Sequence, residues 1–345
     1  MAIDACKGVS SGGACHFHAR HGEVSGSCQQ PPREQQLVCV PSGKYRGGDD
    51  SDNHKRRDMG LSAQSGQRTR KHSVVQSDGN IETLKATASP ILKNTFSMVV
   101  VGDQRILRGN GIAEHLTGHF PNGGNPHQIK TQSYKFSVPA KPKLASKITP
   151  LGMHNFGLSV NGVPFDPAAA EWYLGDRNSG WQYEALSGAI TLGLDENHAH
   201  VQPSGAYHYH GVPTLLVSDL KLMNNQHSPL VGWAADGFPI YALYGYQNAD
   251  NNNSKIIKKS SSYQLKKGAR PSGGKNPGGY YDGTFIADYK YVAGSGNLDE
   301  CNGQYTQTPE FPKGTYAYFL TESFPVIPRC YKGAPSKSFT QQRAR

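Results

Sequence analysis

Asn197-His198-Ala199-His200-Val201-Gln202-Pro203-Ser204-Gly205-Ala206-Tyr207-His208-Tyr209-His210-Gly211 carries four of the chain's fourteen histidines. Two His-x-His pairs flank a Pro-Ser-Gly corner. Strand side chains alternate in direction, so His198 and His200 share a face, as do His208 and His210. Pro203 suits the first position of a type I turn, Ser204 the second, and Gly205 accepts the positive φ that follows. That three-residue loop sets His200 opposite His208 and His198 opposite His210. All four rings then project from one face, with opposed Cβ atoms about 4.5–5.5 Å apart. A two-residue loop would pair His200 with Tyr209 and divide the set between faces.

Four crowded imidazoles repel one another when protonated and gain little when neutral. A bound cation resolves the crowding, and imidazole suits Zn, Cu, Fe and Ni. A nitrogen-only set from two flat strands favours Cu(II), with tetrahedral Zn second. Four closed ligands make a structural site; three ligands and an open position make a catalytic one. The plain alternative is a half-buried polar face of ordinary histidines and tyrosines.

The chain has 345 residues, with 40 Gly, 22 Pro and 18 Tyr against 3 Trp and 5 Met. This texture favours strands, turns and loops over long helices. The net charge is +10, and residues 44–71 hold much of the excess, with eight Lys/Arg to four Asp/Glu. The segment reads as a solvated basic linker, which makes nucleic acid an unlikely partner. No apolar run reaches 18 residues, so no membrane span is expected. No signal peptide is recognisable before Ala2.

Six cysteines fall into two groups: Cys6, Cys15, Cys28 and Cys39, then Cys301 and Cys330. An even count in a small Gly-rich module points to disulfides and an extracytoplasmic location, secreted or periplasmic. Proximity favours Cys6–Cys15 with Cys28–Cys39 among three connectivities. Cys301–Cys330 is the expected third bridge. Cys15-His16-Phe17-His18, followed by His21, offers a competing soft-metal reading.

Residues 1–43 are therefore read as a stapled Cys-rich module, 44–94 as a disordered linker, and 95–345 as a β domain. The expected class is mainly β, an antiparallel sandwich or distorted barrel with long loops. A buried strand is predicted at 96–101, a short helix at 168–173, a strand at 213–217, and an exposed loop at 247–279. Pro203-Ser-Gly-Ala-Tyr-His-Tyr-His is echoed by Pro312-Lys-Gly-Thr-Tyr-Ala-Tyr-Phe. The echo suggests equivalent strands of a pseudo-symmetric sheet, of which only one bears ligands. One pair of matches does not establish a duplication.

The stretch 197–211 resembles the signature of the YHYH protein family, which takes its name from Tyr207-His208-Tyr209-His210. Gly232-Trp-Ala-Ala-Asp-Gly-Phe-Pro-Ile-Tyr241, Gly296-Asn-Leu-Asp-Glu-Cys-Asn-Gly303 and Pro309-Glu-Phe-Pro-Lys-Gly-Thr-Tyr-Ala-Tyr318 extend the likeness over residues 95–335. The resemblance implies an exported bacterial protein and assigns no catalytic role. Likeness to multicopper oxidases fails for want of a His-Cys-His segment. The cupin motif fails because Pro203-Ser204-Gly205 stands where its Glu would follow.

Asp236, in an Asp-Gly turn, is either turn chemistry or a carboxylate orienting a ligating imidazole. Asp195-Glu196 are outer ligands or a solvated turn. Glu300, next to Asp299 and Cys301, is the other carboxylate candidate for the site. No nucleophile elbow, phosphate loop or zincin helix occurs. Three functions are weighed. The leading one is a metal-binding protein using His198, His200, His208 and His210. The second is a metal-dependent oxidoreductase or hydrolase with a pocket holding Asp236 or Glu300. The third is a non-enzymatic surface module, in which the rings would diverge, or would hydrogen-bond to carbonyls rather than converge.

Overall fold

The computed structural model describes residues 4–19, 22–30, 37–41 and 81–340. The chain divides into two compact units after Arg57.

In the first unit, β1 (Ala14–Ala19), β2 (Gly22–Gln29) and β3 (Val38–Pro41) form a three-stranded antiparallel sheet. Its core is made of the four cysteines, all buried. They pair as Cys6–Cys28 and Cys15–Cys39, which corrects the pairing expected from proximity. Cys28 and Cys39 are register partners on neighbouring strands that backbone hydrogen bonds already join. The bridges instead tie the Asp4–Cys6 turn to β2 and one outer strand to the other. Such links supply the core that so short a segment cannot build from apolar side chains. Cys15 is thus oxidised, and the soft-metal reading loses its thiolate. His16 is hydrogen-bonded to Ser25; the His18 side chain and His21 lie outside the described residues.

The second unit is mainly β. β4 (Ser97–Val101), β5 (Gln104–Gly109) and β6 (Tyr134–Pro139) form an antiparallel meander. β4, expected to be buried, is exposed throughout. It is the outer edge of the meander, and Leu107, Phe136 and Val138 of the other two strands supply the core contacts.

The large sheet has eight strands. They are β7 (Gly157–Ser159), β8 (Pro164–Phe165), β9 (Ala199–Val201), β10 (Tyr207–Tyr209), β11 (Gly232–Ala234), β12 (Pro239–Ala242), β13 (Gly303–Thr306) and β14 (Thr315–Leu320). Their order is β9-β10-β8-β7-β11-β12-β14-β13. Neighbours are antiparallel except β10 with β8 and β12 with β14. Among the described residues no sheet closes into a barrel. The sheet and the meander share one apolar core, in which Phe136 and Val138 join Phe156, Leu158, Tyr209 and Tyr318.

This order is a palindrome about the β7–β11 contact. On each side a hairpin with an Asx-Gly turn lies inside, and a second hairpin joins it through a parallel pair. Gly157-Leu-Ser-Val-Asn-Gly-Val-Pro-Phe165 aligns with Gly232-Trp-Ala-Ala-Asp-Gly-Phe-Pro-Ile240. Leu194-Asp-Glu-Asn-His198 aligns with Leu298-Asp-Glu-Cys-Asn302. Hydrogen bonds repeat in step. His198 N donates to the Asp195 carbonyl at 2.8 Å and Asn302 N to that of Asp299 at 3.0 Å. His198 and Asn302 have φ of 53° and 54°. Tyr207 bonds Asp195, as Tyr316 bonds Asp299. The echo between the two Pro-x-Gly hairpins is therefore one part of a full structural repeat.

Four local expectations are overturned. Residues 81–94, read as the end of the linker, lie on this unit: Leu84 bridges to Asp195, Ala88 pairs with Thr117, and Asn94 donates to the Ile112 and Asn161 carbonyls. These contacts satisfy backbone groups that would otherwise be buried unpaired. The Ala-rich stretch at 168 is a strand, Ala168–Trp172, paired with Gln182–Glu184, so tertiary pairing outweighs helix propensity. Thr214–Asp219 is an α-helix that buries Leu216 and Val217. A short apolar run there fits either period. The 247–279 segment, read as a loop, includes Ile256–Lys258 paired with Tyr244–Tyr246, and Tyr263–Leu265 paired with Tyr289–Tyr291. Cys301–Cys330 forms as expected. The rest of the linker, 44–80, lies outside the described residues.

Gly237 sits at φ 90°, where a Cβ would also meet the Pro139 carbonyl oxygen. Gly237→Ala should lower stability by about 1–3 kcal/mol from backbone strain alone, with the steric clash adding to it. Gly102→Ala, at positive φ in open space, should show only the strain. Urea unfolding of the two variants measures the difference.

Candidate metal centre

β9 and β10 pair in the register set by the three-residue loop. Val201 faces Tyr207, His200 faces His208, and Gln202 N donates to the Ala206 carbonyl. Gly205 closes the corner at φ 86°. Strand alternation then separates two chemistries. Tyr207 and Tyr209 point into the apolar core. His208 and His210 point to the opposite face and meet His200.

The three rings stand 4.7 Å apart, centroid to centroid, in edge-on arrangements. Their Nε2 atoms converge. His210 Nε2 lies 3.0 Å from His208 Nε2 and 3.0 Å from His200 Nε2. The other ring nitrogens fix the protons. His200 Nδ1 is 2.9 Å from the Leu192 carbonyl, and His208 Nδ1 is 3.1 Å from the Ala206 carbonyl. A carbonyl only accepts, so each Nδ1 carries the hydrogen and each neutral ring presents a bare lone pair at Nε2. His210 Nδ1 faces the Pro167 carbonyl electrostatically but falls short of a hydrogen bond. At most one of its two 3.0 Å contacts can be a hydrogen bond, since a single ring N–H serves one acceptor well.

Burial holds the set neutral. It pushes His208 down to about 4 and, together with the nearby His208, pushes His200 down to about 3. His210 is held well below the ordinary histidine range, by burial first and then by His200 and His208. Two ring nitrogens whose lone pairs are fixed, with a third neutral imidazole converging on them, offer the donor set that a borderline metal ion takes. Ligand nitrogens at 2.0–2.1 Å from a tetrahedral ion stand about 3.3 Å apart, close to the spacing here.

His198 does not join them. Its backbone keeps the expected place opposite His210, whose N–H donates to the His198 carbonyl at 2.8 Å. The left-handed φ of 53° takes its side chain out of strand alternation, and its Nδ1 bonds the Val212 carbonyl at 2.8 Å. The metal-capable group is His200, His208 and His210. Asp236 binds the Tyr318 hydroxyl at 2.5 Å and the Gly333 N–H at 2.9 Å. Glu300 pairs with Lys332 at 2.8 Å. Among the described residues neither contacts an imidazole.

The carboxylate that does act on the group is Asp166, which carries no motif. It follows β8, takes a hydrogen bond from Gln202 Nε2 at 3.1 Å, and its charge favours protonated His200. Burial raises its own pKa. Arg329, paired with Glu184 at 2.6 Å, opposes protonation of His210. Asp195 holds the hairpin rather than the ion: its carboxylate takes the Tyr207 hydroxyl at 2.6 Å and the Gly118 N–H at 2.8 Å. A cavity of about 200 Å³ lies beside the Leu192 anchor, lined in part by Glu82, Leu84, Ile190 and Leu192. No imidazole of the group lines it.

A family model described as YHYH protein matches residues 135–333, which span both repeats of the large sheet. No curated protein and no solved structure matches the chain.

The depressed histidines carry a pH signature. In the unfolded chain they take up protons near 6.5; in the folded chain His208 does so near 4 and His200 near 3. The unfolded state therefore binds more protons across that window, and stability of the metal-free protein should fall steadily from pH 6.5 toward 4. The His200→Gln/His208→Gln variant should show a shallower fall. Chemical denaturation at stepped pH checks both slopes.

Proposed function

The chain belongs to the YHYH protein family, and we propose that it is an extracytoplasmic protein that binds one transition-metal ion through His200, His208 and His210. One observation carries this reading: the Nε2 atoms of His200 and His208 each lie 3.0 Å from that of His210, and the Nδ1 protons of His200 and His208 are committed to backbone carbonyls. Without a cation a single His210 N–H can bridge to only one of the two facing lone pairs, and the other is left unmatched. With a cation, each ring becomes a ligand, and the rings of His200 and His208 are already oriented by a second hydrogen bond. Copper is the preferred ion, because an all-nitrogen set binds Cu(II) more tightly than its neighbours in the series; zinc is second.

Two features support the location. Three disulfides fit an oxidising compartment. No described helix is long and apolar enough to cross a membrane.

The count of three ligands favours a second reading, a metal-dependent oxidoreductase or hydrolase. Three protein ligands leave a coordination position for water or substrate. A bound ion would supply Lewis acidity there. Asp166 and Gln202 are the chain's own polar groups on the His200 side, and Asp166 is placed to hold a proton. Glycine, rather than a larger residue, follows His210, and a Cβ at Gly211 would press on the His198 ring. This fixes how closely the segment after the site can approach the turn before it.

Metal content of the untagged full-length protein after dialysis tests the proposal. The parent should retain about one equivalent of metal. His208→Ala and His210→Ala should each lose it, with affinity falling by at least 100-fold. His198→Ala should keep it. Full retention in His208→Ala and His210→Ala would remove the site.

A further inference from the structure

The repeat places a second set of positions at the mirror-image location of the sheet. In register, His200, His208 and His210 correspond to Gln304, Ala317 and Phe319. His200 pairs with His208 as Gln304 pairs with Ala317, and the Tyr209–Phe165 parallel contact matches Tyr318–Ile240. Phe319 N donates to the Asn302 carbonyl at 3.0 Å, as His210 N donates to that of His198 at 2.8 Å. No imidazole stands there: Ala317 and Phe319 offer no ligand atom, and Gln304 offers a single amide oxygen.

The location is filled from another element. Lys259, only 2% exposed, reaches in from the segment after Ile256–Lys258. Its Nζ donates to the Gln304 Oε1 at 3.1 Å and to the Tyr246 carbonyl at 2.7 Å. It lies 5.6 Å from the centre of the Phe319 ring, within range of a cation–π contact. Two of its three contacts are thus the residues that stand where His200 and His210 stand. No ion pair to Lys259 occurs among the described residues. Burial lowers its pKa to about 8, which leaves the amine protonated at neutral pH.

We infer that the location equivalent to the histidine group in the second repeat is a primary-ammonium seat, occupied by the chain's own Lys259. A neutral oxygen pair and an aromatic face suit an ammonium ion and are poor ligands for a transition metal. A hydrophobic side chain of the same length would leave the Tyr246 carbonyl and the Gln304 amide oxygen without their donor. The inference goes beyond the metal-binding reading and does not need it, because it concerns the repeat that lacks histidines.

Chemical rescue tests it in the full chain. Lys259→Ala leaves a space the size of a short alkylammonium ion. Its thermal midpoint should drop by several degrees and recover in part in ethylammonium chloride, but not in choline chloride at equal concentration. Should Lys259→Ala fail to fold alone, soluble yield on refolding with each salt replaces the midpoint. Lys259→Met, which keeps the volume without the charge, should also melt below the parent. Equal recovery in both salts, or a Lys259→Met variant as stable as the parent, would overturn the ammonium seat. Metal binding at His200, His208 and His210 plays no part in these readouts, so the two proposals can fail separately.

Discussion

Two hydrogen bonds from imidazole Nδ1–H to main-chain carbonyls, at Leu192 and Ala206, govern the chemistry of this protein. They fix the tautomers of His200 and His208, so both rings present a lone pair at Nε2 toward His210. Each carbonyl belongs to backbone held in place by the hairpin itself or by the loop packed beside it. The preorganisation is therefore a property of the fold. Burial adds to it by keeping protons off, which removes competition for the nitrogens at neutral pH.

The alternation Tyr-His-Tyr-His is a two-sided device. One face puts Tyr207 and Tyr209 into the core, where buried hydroxyls need partners. Tyr207 finds Asp195, and Tyr209 finds His115 at 2.6 Å and Asn161 at 2.9 Å. The second repeat solves the same problem with Tyr316 on Asp299 and Tyr318 on Asp236. The scaffold of tyrosine hydroxyls on Asp or Asn side chains is shared by both halves of the sheet. The histidines are not, and this separates what the architecture requires from what the site adds.

Much of the site was legible in the chain. The Pro203-Ser204-Gly205 corner set the hairpin register, and from it the opposition of His200 and His208 followed. The fourth ligand was not legible. Alternation assumes φ stays extended, and His198 leaves that region to close the turn begun at Asp195. Asp236 and Glu300 looked attractive because they sit in conspicuous motifs, yet both serve the second repeat. Asp166 was missed because a lone Asp before a Pro has no signature. The disulfide pairing was misjudged because nearness in sequence says nothing about bridges across a folded sheet. The Gly157–Phe165 and Gly232–Ile240 match was readable, but with Asn for Asp and Leu for Trp it gains force only beside the repeated hydrogen bonds.

Anomalous diffraction from crystals of the full chain grown with copper or zinc, recorded at the absorption edge, tests the central claim most directly. The account predicts one strong peak about 2.0–2.1 Å from the Nε2 atoms of His200, His208 and His210, with no peak at the Gln304–Phe319 location. An empty histidine group under saturating metal would contradict it.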